Sequence, residues 1–255
     1  TPPDHGRPRG ADPVPFVLLF ASLVLAAVVL WWIARPAIVA GASSGIGAAT
    51  ATALAAHGFP VALGARRVEK CQELVDQIKA EGGEAIALPL DVTDTASVEN
   101  FVAKATAALG DIEVLVTGAG DTNFGRLHEM STDEFAQQLQ IHLVGANRMA
   151  RAVLDGMVER RRGDLIFVGS DVALRQRPHM GAYGAAKAGL VAMVTNYQME
   201  LEGTGVRAGV VRPGQTLTGM GSVFVCVTCM CDTLMDFCNL LGQKWYTIVL
   251  TSFLL

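Results

Sequence analysis

The sequence predicts an α/β chain built on a doubly wound parallel sheet with helices on both faces. Three observations predict it. From Pro36 onward, short apolar runs alternate with amphipathic stretches. The first run leads into a glycine-rich turn, Gly41-Ala42-Ser43-Ser44-Gly45-Ile46-Gly47, and then directly into a helical stretch. Hydrophobic residues make up 51% of the chain, enough for a sizeable core.

The elements follow in order. Ala37–Ala40 reads as a strand and Ile46–His57 as a helix. Pro60–Leu63 is a strand, Val68–Glu81 a helix, Ala85–Leu90 a strand and Ala96–Leu109 a helix. Ile112–Val116 is a strand, and Thr132–Glu159 reads as one long helix. Asp164–Val168 is a strand, Gly181–Glu202 a second long helix and Arg207–Val211 a strand. Strands alternating with helices imply right-handed crossovers. No internal repeat is present.

The net charge of -4 is mild, and no basic stripe points to a nucleic-acid partner. The run Arg160-Arg161-Arg162 falls at the end of a predicted helix, where cations offset the helix dipole. Cys71 stands alone in the body, while Cys226, Cys229, Cys231 and Cys238 cluster near the end. That is no disulfide framework, and it suits a reducing compartment. The late cysteines do not match paired zinc spacings, so no metal is expected.

Residues 1–15 are rich in Pro, Gly and charge and are expected to be disordered. Phe16 to Ala34 has no charged residue and the ~20-residue length of a bilayer span. Trp31 and Trp32 stand where an interfacial belt would be. A cleaved signal peptide and a buried core helix are the competing readings. The expectation is a single-pass membrane anchor, with the membrane as a partner. The chain opens with Thr1, which suits a fragment or processed form.

In the turn after the first strand, Gly41 allows a tight turn, Gly45 lets the backbone approach a pyrophosphate, and Gly47 lets helix and strand pack closely. The helix N-terminus then faces the phosphates, with Ser43, Ser44 and Ile46 in the same loop. The second strand ends at Gly64-Ala65-Arg66-Arg67, without the acidic residue that takes the ribose hydroxyls of NAD. A guanidinium there suits the 2′-phosphate of NADP(H), with Arg66 favoured over Arg67.

Tyr183 and Lys187 stand at i and i+4, on one face of a helix. The Lys charge is expected to lower the phenol pKa, as proton exchange with a substrate oxygen near neutral pH requires. Ser170 lies thirteen residues before Tyr183, just after a strand.

Together with Asp91-Val92 and Pro213-Gly214, these motifs give residues 36 to about 220 a resemblance to the short-chain dehydrogenase/reductase family. The resemblance implies a Rossmann fold and hydride transfer between a nicotinamide and a carbonyl/alcohol pair. It implies Tyr183 as general acid/base, Lys187 as its modulator and ribose ligand, and Ser170 as the group that polarises the carbonyl. Asp91 and Val92 would border the adenine, and Gly118 and Ala119 would line the ribose. Pro213, Gly214 and Thr216 would border the nicotinamide, with Thr218 near the phosphates. A homo-oligomer through the two long helices is also implied.

The chain departs from the family in three places. Thr117-Gly118-Ala119-Gly120 replaces Asn-Asn-Ala-Gly. His142 stands where an Asn usually holds a water in the proton path. An imidazole there could bind water or carry a proton itself. From Ser222 to Leu255 the sequence is apolar, Cys-rich and unlike the family's substrate loop and last strand. That tail reads as a hydrophobic hairpin or as sequence foreign to the fold. The leading expectation is thus an NADP(H)-dependent oxidoreductase of a small lipophilic carbonyl or alcohol, such as a retinoid, steroid, fatty aldehyde or acyl chain. The alternative is a cofactor-binding but catalytically impaired relative.

Overall fold

The structure is a computed structural model that describes residues 35–121 and 123–214. Six strands form one sheet: β1 Ala37–Ala40, β2 Val61–Ala65, β3 Ala85–Pro89, β4 Val114–Thr117, β5 Gly163–Val168 and β6 Val206–Val211. Their order is β3-β2-β1-β4-β5-β6, and every neighbouring pair is parallel. From β1 in the middle of the sheet the strands wind out to β3, then cross back and wind out to β6. Its reversal falls between β1 and β4, the place where an open α/β sheet leaves a crevice at its carboxyl ends.

The helices are α1 Gly45–Ala56, α2 Val68–Ala80, α3 Thr95–Leu109, α4 Thr132–Leu139, α5 Gly145–Glu159 and α6 Gly181–Glu200. Alternation along the strands sends side chains to two faces, and each face is covered. Ala37, Val39, Val61, Leu63, Val114 and Val116 share a core with α1 and α2. Ile38, Ala40, Leu115, Leu165 and Phe167 share another with α3, α5 and α6.

Local chemistry fixes the starts of the helices. The Asp94 side chain accepts from the Ala96 N–H at the start of α3. Ser131 and Glu134 form a reciprocal capping box at the start of α4. Glycine is required where elements approach closely. A Cβ on Gly64 would stand 2.7 Å from both Leu90 and Phe101.

The expected elements are present, with one correction of substance. The single helix expected over Thr132–Glu159 is α4 and α5 joined by a π-helical turn, Gln140–Val144. Such a turn inserts one residue and leaves the apolar periodicity of the flanks intact, so no breaker marks it in the sequence. His142 sits inside it and is buried.

The expected membrane location is also corrected. Among the described residues no helix is long and apolar enough to cross a membrane. Phe16–Ala34, on which that expectation rested, lies outside the described residues, as do residues 1–15 and the segment Ser222–Leu255 with its four cysteines.

Candidate active site

The site is assembled at the carboxyl ends of the central strands. β1 runs into the glycine turn, where Gly41 has φ +86° and Gly45 φ +58°. Both lie in the left-handed region that glycine enters without strain. A Cβ on Gly41 would stand 2.5 Å from the backbone nitrogen of Ala119. A Cβ on Gly47 would collide with the Gly41 carbonyl. The loop after β4 therefore lies directly on the glycine turn, tied by Gly118 N–H to the Ala40 carbonyl at 2.8 Å. α1 starts at this junction, and the N–H groups of a helix's first turn are a ready site for a phosphate. The residues present fit a dinucleotide.

The arginine expectation needs refinement. The Arg67 guanidinium donates to the hydroxyls of Ser43, at 3.0 Å, and Ser44, at 3.2 Å. Arg67, rather than Arg66, thus stands against the glycine turn. Arg66 is exposed and lies toward Asp91, whose carboxyl it helps to lower. The main causes there are the side-chain and backbone hydrogen bonds from Thr93. Val92 is buried against Gly145, on the floor of the same crevice. Arg148 from α5 braces this loop through the Val92 carbonyl, Thr95 and Gln140. Sequence reading gave Arg148 no role, because its partners lie up to 56 residues away.

Ser170 follows β5 and caps the short 3-10 turn Asp171–Ala173 by accepting from the Val172 N–H. Lys187 is buried, and its Nζ donates to the Val168 carbonyl at 2.7 Å. Its ammonium stands 5.6 Å from the centroid of the Tyr183 ring. The sheet and α6 thereby bring Ser170, Tyr183 and Lys187 together. Pro213 is tied in by its carbonyl, which accepts from Asp171 N–H at 3.0 Å, and Gly214 follows it. Thr216 and Thr218 lie outside the described residues.

The electrostatics differ from expectation at Tyr183. Burial pushes the phenol above its ordinary value, the Ser170 hydroxyl pulls it down, and the Asp171 carboxylate adds to the rise. Lys187, expected to lower the phenol, is not among the causes of this shift, and its ammonium donates to the Val168 carbonyl. Burial lowers Lys187 to about 8. Asp171 is held by Arg177 at 2.5 Å.

His142 lies against this set. Its ring meets the Tyr183 ring edge-on, with centroids 5.0 Å apart and planes at 87°. Nε2 donates to the Asp121 carbonyl. Burial, with a smaller contribution from Lys187, lowers the imidazole to about 3. It is therefore neutral across the physiological range. Among the described residues no cluster of His, Cys, Asp and Glu is placed to hold a metal.

Exposed apolar side chains stand on the segments next to this set. Leu127 packs over Gly181, two residues before Tyr183. Phe124 adjoins Gly125, which pairs with Met180 at the start of α6. Leu174 ends the turn that Ser170 begins. All three are exposed.

Comparison with known proteins agrees with this geometry. The chain is 36% identical over 186 residues to glycine betaine reductase ATRR of Emericella nidulans, although it spans only 15% of that protein. It is 35% identical to 2,3-dihydro-2,3-dihydroxybenzoate dehydrogenase of Bacillus subtilis, over 72% of this chain and 70% of that one. Among solved structures it resembles an alcohol dehydrogenase of Thermococcus sibiricus complexed with 5-hydroxy-NADP, with a TM-score of 0.68 and 36% identity over 72% of this chain and 77% of that one. It also resembles an actinorhodin polyketide ketoreductase with NADPH, with a TM-score of 0.72 and 30% identity over 73% of this chain and 72% of that one. NADP(H) is the cofactor that these neighbours and the glycine turn indicate. The short chain dehydrogenase model matches residues 35–224, and the chain belongs to that family of oxidoreductases.

Proposed function

We propose that this chain transfers hydride between NADP(H) and a carbonyl/alcohol pair on a small apolar substrate. The observation that carries the reading is the convergence of Ser170, Tyr183 and Lys187 beside the glycine turn. NADPH, when bound, supplies the hydride for the reducing direction. The Ser170 hydroxyl then donates a hydrogen bond to the carbonyl oxygen and polarises it. Tyr183 gives its proton to that oxygen as the hydride reaches the carbon, so the product is the alcohol and the phenol is left as phenolate. The Lys187 ammonium stands 5.6 Å from the centroid of that ring, and turned from the Val168 carbonyl toward the phenol it would stabilise the phenolate. In the oxidising direction the same groups run in reverse.

Arg67 is the residue we assign to the 2′-phosphate, with Arg66 beside Asp91 as a second cation near the adenosine. The exposed Phe124, Leu127 and Leu174, on segments next to the start of α6 and the turn after Ser170, support an apolar substrate. A homo-oligomer through the long helices remains part of this reading. The impaired alternative rested on Ser222–Leu255, and no observation on the described residues favours it.

Fluorescence titration of the full chain with NADPH and NADH tests the cofactor assignment. Arg67→Asp should weaken NADPH binding about 10-fold or more, the scale of a lost charge-assisted pair, and leave NADH binding nearly unchanged. Equal weakening of both cofactors would remove Arg67 from the 2′-phosphate.

A further inference from the structure

The stretch between Ser170 and Tyr183 carries charges that the proposed reaction does not use, among them Asp171 and Arg177. Asp171 follows Ser170 directly, and its backbone is tied on both sides. Its N–H donates to the Pro213 carbonyl at 3.0 Å. Its own carbonyl accepts from the N–H groups of Leu174, at 3.0 Å, and Arg175, at 2.9 Å. Only rotation of the side chain therefore sets where the carboxylate points.

Two side chains are set against that carboxylate. Oδ2 accepts from the Arg177 guanidinium at 2.5 Å. Oδ1 lies 3.4 Å from Ser170 Oγ. The first contact is short and charge-assisted. The second is at the far limit of a hydrogen bond, where little is gained. The Ser170 oxygen already accepts from the Val172 N–H at 3.3 Å, and the hydroxyl has one hydrogen to give. That hydrogen goes either to Asp171 or toward Tyr183 and the substrate oxygen. A lone carboxylate would win the competition, because a hydrogen bond to an ionised acceptor is about twice as strong as one between neutral groups. Arg177 occupies the carboxylate instead.

The carboxylate also bears on the phenol. Among the described residues it is the charge that raises Tyr183, behind burial and against the pull of the Ser170 hydroxyl. The field of an ion pair falls off faster than that of a lone anion, so a paired Asp171 raises the phenol less than a free one. The other charged groups around the phenol are few. On α6, Lys187 is brought to about 8 by burial, so it is neutral where the phenol titrates. On the π turn, His142 is neutral as well. The loop after β4 carries Asp121, Arg126, His128 and Glu129, and α4 carries Asp133 and Glu134, all of them exposed. Arg175 and His179 are exposed too. Arg212, after β6, packs its stem near Gly169.

Resting on the reading of Ser170 and Tyr183 as the catalytic pair, we propose that Arg177 is a positioning residue for both: it holds the Asp171 carboxylate, so that the Ser170 hydroxyl keeps its hydrogen for the substrate oxygen and the phenol faces a neutralised pair rather than an anion. Arg177 acts only through Asp171. Removing Arg177 and removing the carboxylate therefore have opposite effects on Tyr183. A pair that merely braces the loop is broken equally from either side, and both changes would then act alike.

The test is a tyrosine 13Cζ NMR titration of the full chain without cofactor, with the Tyr183 signal assigned by its loss in Tyr183→Phe. Arg177→Gln should raise the Tyr183 midpoint by about one pH unit, the scale of a nearby like charge. Asp171→Asn should lower it by about as much. The double variant should titrate with Asp171→Asn, and Arg177→Lys should stay near the wild type. Should Arg177→Gln fail to fold, Arg177→Met keeps the length of the stem and removes the charge. Single variants that shift the midpoint in the same direction, or leave it unchanged, overturn the proposal. A double variant that titrates above Asp171→Asn overturns the action through Asp171. In turnover of any ketone or aldehyde that the wild type reduces, Arg177→Gln should lower kcat about 10-fold with the NADPH Kd kept, and adding Asp171→Asn should restore it. Loss of kcat that Asp171→Asn does not restore overturns the role at Ser170. The phenol titration needs no substrate, so absence of turnover in the wild type counts against the oxidoreductase reading and not against the order of midpoints.

Discussion

The two ends of the sheet bury charge in opposite ways. At the amino ends of the strands, Arg35 donates to Glu113 and Asp164, Arg207 to Asp164, and Arg162 to Glu113. Asp164 is fully buried between two guanidiniums. Burial alone would lower Arg35, but its pairs with Asp164 and Glu113 outweigh that and hold it above its ordinary value. At the carboxyl ends, Lys187 and His142 are buried with carbonyls as partners, and among the described residues no carboxylate forms an ion pair with either. Their pKa values fall to about 8 and about 3. Paired burial fixes a charge and clamps strands together. Unpaired burial brings the Lys187 ammonium toward neutral pH and keeps the His142 imidazole neutral. The first end holds the sheet, and the second is the end to which the proposed chemistry is assigned.

Breaking the clamp should have the largest effect on stability. Asp164→Asn leaves the buried Arg35 and the half-buried Arg207 beside a neutral amide, a change that costs about 3–5 kcal/mol where the lost partner is fully buried. Urea unfolding at pH 7 measures it. A loss under about 1 kcal/mol would mean that the network is an ordinary surface one.

The opposite sign is expected at the other end. Lys187→Met removes a buried ammonium and should stabilise the chain at pH 7 by up to about 3 kcal/mol while abolishing turnover. The sign follows from linkage. The folded pKa of about 8 lies below the reference 10.5, so between those values the unfolded chain binds more protons. Stability therefore rises with pH across that window, and the burial cost stands in full below it. If Lys187→Met is destabilised at pH 7, its charge is not strained by burial.

His142 sharpens the contrast at acid pH. Its folded value of about 3 lies below the reference 6.5. Between these, the unfolded state binds the extra proton, so stability falls as pH drops from 6.5 toward 3. His142→Asn should flatten that part of the stability profile, and a profile of unchanged slope would assign the acid sensitivity to other groups.

Sequence made the frame and the side chains that meet at the second end legible for local reasons. The i, i+4 pair of Tyr183 and Lys187 and the glycine turn are short-range patterns that the chain writes in adjacent residues. The six strands were legible because each is a short apolar run set off by helices of different period. The clamp was not, because Arg35 meets Glu113 and Asp164 across 78 and 129 residues of separation. The π turn was hidden because its flanks keep the helical pattern. Arg66 and Arg67 are neighbours of one chemistry, and only the backbone at the end of β2 decides which of them turns to Ser43 and Ser44. The environment of His142 depends on the Asp121 carbonyl, a backbone group that no side-chain pattern announces.

The central claim is that the carboxyl end of the sheet is a working proton-transfer site centred on Tyr183. Steady-state reduction of a panel of apolar ketones and aldehydes by the full chain with NADPH, set beside NADPH titration, tests it through Tyr183→Phe. The account predicts a fall in kcat of about 10²–10⁴-fold, the range for a lost general acid, with the NADPH Kd unchanged. Turnover by Tyr183→Phe equal to the wild type, with the cofactor still bound, would contradict it.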